Sequence, residues 1–146
     1  MPRKLGYQAK LYRNTGDYAS PSWVEITNAK DVTTNLEKGE ADVTTRGNQG
    51  WRATAATLKD LQIEFQMIYD TDDASYGALE AAFFNDEIVE IAVADGAIET
   101  AGTKYLRASM EVFNFSRSEQ NEEAITVDVT MKPTFAANAP TRHTAA

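Results

Sequence analysis

The chain has 146 residues, 42% of them hydrophobic and 25% charged, with a net charge of −8 and no cysteine. That length fits one domain with a buried core, and the composition is that of soluble globular proteins rather than disordered or membrane-spanning ones. No apolar run approaches the roughly 18 residues that span a bilayer, and the missing cysteines exclude disulfides and thiolate metal sites.

The charge is unevenly spread. Residues 1–69 carry a net +1 and residues 70–146 a net −9. Such a distribution argues against general nucleic-acid affinity, which needs a basic patch to neutralise phosphates. It permits head-to-tail self-association, in which one part of the surface meets a differently charged part.

The opening MPRKLGYQAK has basic residues and no apolar segment of the secretory type, so a protein made in a cytoplasm is expected. YQAKLY (7–12), WVEIT (23–27), AKDVTTNL (29–36) and EADVTT (40–45) read as short strands. A polar run over 44–58 follows, with Trp51 between Arg46 and Arg52 and beside Gly47 and Gly50, and it reads as a long loop. LQIEFQMIY (61–69) then alternates, with Leu61, Ile63, Phe65, Met67 and Tyr69 on one side and Gln62, Glu64 and Gln66 on the other. Period two of this kind marks a half-buried strand.

The next segment breaks that pattern. From Asp72, aspartates suited to an N-cap precede Tyr76, Leu79, Ala82 and Phe83 at helical spacing, which predicts one amphipathic helix over about 72–85. EIVEIAVAD (87–95) and TKYLRASMEVFNF (103–115) form a strand pair whose linker holds the turn signals Asp95-Gly96 and Gly102. AITVDVTMK repeats the alternation, Ile125, Val127, Val129 and Met131 against Thr126, Asp128 and Thr130. Residues 134–146 are rich in Ala, Thr and Pro and read as a flexible tail. The expected fold is therefore mainly β: an antiparallel β-sandwich or barrel with one flanking helix, as a single domain over 1–133.

Catalytic chemistry is hard to place on this chain. His143, the one histidine, lies near the C-terminus, away from any pocket that a triad or metal cluster needs. Asp72/Asp73 and Glu122/Glu123 have simpler roles as a helix cap and a hairpin turn, without the ligand spacing of a calcium loop. Gly47 and Gly50 lack the Lys-Ser/Thr of a phosphate loop, and the few cations around Arg46–Arg52 make a poor nucleic-acid site. The expectation is no enzyme, cofactor or metal.

The order of elements resembles that of the major tail (tail tube) proteins of long-tailed bacteriophages and prophages. The stretches carrying the likeness are DVTTNLEKGEADVTTRGNQGW, LKDLQIEFQMIYD, YGALEAAFFNDEIVEIAV and AITVDVTMKP, which with their spacing cover most of residues 7–133. The resemblance implies subunits that close into rings, in that family of six, stacking into a hollow tube through which DNA passes without specific binding. It implies tape-measure, tail-tip and tail-terminator proteins as partners, no membrane anchor, a place in the virion tail and assembly in the bacterial host cytoplasm. On that reading Arg46, Trp51 and Arg52 form an inter-subunit contact, tryptophan and arginine being enriched at interface hot spots. The faces bearing Gln62, Glu64, Gln66, Thr126, Asp128 and Thr130 line the lumen. Two alternatives stand beside it: a tube subunit of a type VI secretion or contractile injection system, similar in fold, and a monomeric β-sandwich binding module.

Overall fold

A computed structural model describes Arg3 and residues 5–145. The described residues form strands β1 (Lys10–Asn14), β2 (Trp23–Glu25), β3 (Ala29–Asp42) and β4 (Thr54–Ile68), helix α1 (Ala74–Asn85), and strands β5 (Val89–Ala94), β6 (Lys104–Ser118), β7 (Thr126–Pro133) and β8 (Thr141–Thr144). All pair antiparallel in one sheet ordered β2-β1-β5-β6-β7-β4-β3, with β8 alongside the start of β6. The sheet stays open, with β2 and β3 as its edges. It curls so that Leu11 and Ile26 at one end share a core with Leu61 and Ile63 at the other, as the halves of a sandwich do.

Alternation builds that core. Leu61, Ile63, Phe65 and Met67 of β4 are buried, as are Val127, Val129 and Met131 of β7. Register joins the two rows, Phe65 facing Val129 and Met67 facing Val127. In β6 the buried positions run Ala108, Met110, Val112, and then a bulge at Phe113 shifts the parity so that Phe115 points inward opposite Val129. The bulge leaves Phe113 exposed. Val89 is half-buried at the start of β5.

Helix α1 closes this face. Asp73 caps its N-terminus by accepting from the Ser75 amide at 3.1 Å, satisfying one of the free first-turn donors. Asp86 ends it in a left-handed conformation (φ 55°), which the short polar side chain tolerates. Tyr76, Leu79 and Ala82 are buried, and Tyr76 meets Tyr69 edge-on at 5.1 Å and Phe115 at 5.6 Å.

Three segments differ from the sequence reading. Residues 29–36 and 40–45, expected as separate strands, belong mostly to the single β3, because bulges at Lys30/Thr33 and Lys38/Glu40 absorb the pattern breaks without ending the pairing. Gly39 sits at the second bulge, where a Cβ would overlap Thr57 Oγ1. Residues 54–58, expected in a loop, are the start of β4, so the connection shortens to 43–53. The 134–146 tail contains β8, whose Thr141–Thr144 pair with Lys104–Arg107; hydrogen bonds from Gly102 to Ala145 and from Ala145 to Thr103 extend the pairing.

Candidate functional site

β3 and β4 pair along almost their whole length, yet β7 accompanies β4 only from Ile63 to Ile68. Beyond that point the two strands leave the body as a two-stranded arm. Both faces of the arm meet solvent, and Leu36 and Leu58 are 62% and 80% exposed.

The arm ends in a compact turn. Trp51 N donates to Asn48 O at 3.0 Å, Asn48 Nδ2 to Trp51 O at 2.7 Å, and Ala53 N to Thr44 Oγ1 at 2.8 Å. Gln49 (φ 55°) and Gly50 (φ 81°) make the reversal in left-handed conformations, where glycine carries no Cβ penalty. At the base of the turn, hydrogen bonds from Thr44, side chain first and backbone second, hold the Asp42 carboxyl below its usual range. Trp51 is 77% exposed, held outward by a turn whose polar groups bond to one another. Arg46 and Arg52 flank it, also exposed, and neither has an ion-pair partner among the described residues.

The other six residues singled out in the sequence share one face of the sheet, opposite the core. Cross-strand rows run Thr33–Glu64–Thr130–Asn114 and Lys30–Gln66–Asp128–Ser116, with Gln62 beside Asn35 and Thr126 beside Ser118. Gln66 Nε2 donates to Asp128 Oδ1 at 3.1 Å, and Gln62 Nε2 donates to Glu64 Oε1. The bare part of the face also carries two cations that the two-strand reading omitted. Lys30 lies opposite Gln66, and Lys132 opposite Glu111 beside a shallow hollow with Glu37, Asp60 and Gln62. Parity pointed to Lys132, one step past Met131 on the Thr126/Asp128/Thr130 side.

At the far end the same face is covered. Arg107, 5% exposed, makes a bidentate contact with Glu90 (2.6 and 2.9 Å) and donates to Tyr18 O at 3.0 Å. Its guanidinium lies 3.8 Å from the Tyr18 ring centre and 5.1 Å from that of Trp23. Burial acts to lower the Arg107 pKa but is outweighed by the hydrogen bond and charge of Glu90, leaving it raised. Asn14 Nδ2 holds the same carboxylate at 2.6 Å. This cluster pins the 15–22 connection onto the sheet. Alternation sets Arg107 with Ser109 and Glu111 on the side opposite Ala108, Met110 and Val112, so it reads as one more solvent-facing polar residue and nothing in the periodicity marks its burial.

His143 packs against Tyr105 with ring centres 5.4 Å apart, a stacking role. Among the described residues no group of three or more histidines and carboxylates is placed to hold a metal, and no helix is long and apolar enough to cross a membrane.

Known structures share this architecture. The tail of an empty gene transfer agent particle, refined with C6 symmetry, aligns at TM-score 0.72 and 14% identity over 99% of this chain and 100% of that one. The SPP1 tail tube aligns at 0.69 and 16% identity over 89% and 75%. The sheath–tube complex of an extracellular contractile injection system aligns at 0.65 and 8% identity over 99% and 93%. No curated protein matches in sequence. The model of the phage tail tube protein family matches residues 10–135, from the first strand through the arm and helix to the end of β7, and the chain belongs to that family as a tail tube subunit.

Proposed function

We propose that six copies close into a ring, that the arm of each subunit reaches the next ring to make a stack, and that the bare polar sheet face lines a channel for DNA. The observation that carries this reading is the arm. An isolated two-stranded ribbon is marginal in water, and this one displays Leu36, Leu58 and Trp51, apolar surface suited to burial against another subunit. A heterologous contact that closes makes a ring, and one that does not close makes a stack. The six-fold symmetry of the gene transfer agent tail supports the ring number, and the open edges β2 and β3 offer backbone groups for neighbours to complete.

A channel wall for sliding DNA must not grip phosphates. Glu37, Asp60, Glu64, Glu111 and Asp128 outnumber Lys30 and Lys132 on the candidate face, leaving it acidic. The role is structural and not enzymatic, in the tail of a virion assembled in the host cytoplasm, with tape-measure, tail-tip and terminator proteins as partners.

Negative-stain microscopy of concentrated protein tests the assembly: stacked rings are expected, and a persistently monomeric protein overturns the reading. The channel is tested with Glu64→Lys/Asp128→Lys in whole particles. Normal-looking tails with poor DNA delivery, partly relieved by high salt, are expected. Failure to form tubes would put the pair at a subunit contact, and unimpaired delivery would put this face outside the lumen.

A further inference from the structure

Strand β4 joins two ends of unlike charge. At one end is the turn 43–53, whose only charged residues are Arg46 and Arg52. At the other, Ile68 pairs with Thr126, Tyr69 N donates to Ile125 O at 2.8 Å, and Ser118 pairs with Thr126. Segments 69–73 and 118–126 therefore meet there. They carry six carboxylates and no cation, Arg117 standing just before them. The 15 residues of β4 separate the two ends by about 45 Å.

Not all six carboxylates are free. Asp73 caps α1, Asp70 accepts from the Asp72 amide, and Glu119 pairs with Arg117 at 3.2 Å. Asp72, Glu122 and Glu123 are exposed and have no ion-pair partner among the described residues. Arg46 and Arg52 are in the same condition at the opposite end. An exposed tryptophan stands between those arginines.

We propose that the tip of one copy docks on this acidic end of a copy in the next ring, Arg46 and Arg52 meeting Asp72, Glu122 and Glu123 while Trp51 supplies the desolvated anchor. The proposal rests on the stacking reading above and names the receiving surface. Translation along the strand axis is the operation that lays one end over the other, and repeated translation generates an open stack. Arginine suits the task, because its planar fork pairs with carboxylates bidentately. Opposite charge sets register and approach, and the aromatic supplies the hold.

The absence of cysteine permits a direct test. Gly47, whose added Cβ would meet only Thr45 Oγ1 at 3.7 Å, and the exposed Asn121 report on the two ends. Tubes of Gly47→Cys/Asn121→Cys, oxidised after assembly, are expected to give a ladder of covalent multimers on non-reducing gels, with neither single variant doing so. Normal tubes without a ladder overturn the proposal and leave the tube reading standing. If the unmodified chain forms no tubes, the tube reading itself fails and the proposal with it. In a second arm, Arg46→Glu/Arg52→Glu raises the concentration needed for tubes about tenfold or more, and adding Glu122→Arg/Glu123→Arg restores it. Tubes that form normally with both arginines reversed, or a loss that the second pair does not repair, would show that this charge pairing does not hold the rings.

Discussion

Strand β4 passes through two environments. From Leu61 to Ile68 the core-facing side chains alternate with half-buried ones, α1 and the sheet share the core, and β7 joins from Ile63. From Thr54 to Asp60 its one partner is β3, and all but Ala55 are exposed. Backbone pairing is continuous across the boundary apart from the bulge opposite Gly39, so hydrogen bonding does not distinguish the halves. Apolar burial does. The inner half is held by its own domain, while the outer half presents Leu58, and the turn before it Trp51, with nothing among the described residues to cover them. Strand pairing can thus be extended well past the core as a lever, provided the far end is covered by something else.

Cutting one side chain from each half of β4 tests this difference directly. Phe65→Ala removes a ring buried in the core beside Val129 of β7 and is expected to cost about 3–5 kcal/mol. Leu58→Ala, at an exposed site on the same strand, is expected to shift stability by no more than about 0.5 kcal/mol. Denaturant unfolding of the isolated subunit measures both. Equal costs would show that the arm packs on the body in solution.

A pH titration probes the body alone. Burial first, and then the negative charge of Glu80, push Tyr76 from its ordinary 10.0 up to about 12. The folded value lies above the unfolded one, so this contribution is fully present below about pH 10 and is lost as pH rises through about 12. Thermal melts between pH 9 and 12 are expected to show a fall that Tyr76→Phe reduces. A fall of the same size in that variant would trace the loss to other groups.

The body was largely legible in the sequence and the arm was not, for one physical reason. Period-two alternation records a difference between two faces. Ile63/Phe65/Met67 and Val127/Val129/Met131 have one buried face, and the helix signals at Asp73, Tyr76 and Leu79 record a single buried stripe. In the arm both faces are wet, so TAATLK over Thr54–Lys59 carries no alternation and reads as a loop although, apart from the bulge opposite Gly39, it pairs with β3. β8 escaped for a similar reason, since the short Thr141–Thr144 lies at an exposed border. That Gln62, Glu64, Gln66, Thr126, Asp128 and Thr130 share one side of the sheet was legible because they are the complement of the buried rows. Trp51, Arg46 and Arg52 were visible as residue types out of place, but not the hydrogen-bonded turn that presents them.

Trp51→Ala is expected to have the smallest effect on the fold and yet to separate the two halves of β4 most clearly. The indole is 77% exposed, and the turn's bonds from Asn48 and Thr44 run to backbone groups that the substitution keeps. The melting curve of the isolated subunit is therefore expected to stay within about 0.5 kcal/mol of wild type, as for exposed sites generally. Assembly is a different matter. Truncating a desolvated aromatic anchor costs about 2 kcal/mol or more at a contact, and a stack repeats that contact for every subunit in every ring. The loss at each ring-to-ring step is thus multiplied around the ring, so a change invisible in the melt is expected to abolish stacking while single rings persist. Sedimentation and negative-stain images of the variant distinguish these outcomes. A destabilised subunit that still forms long tubes would assign Trp51 to its own domain and leave the exposed leucines of the arm as the contact.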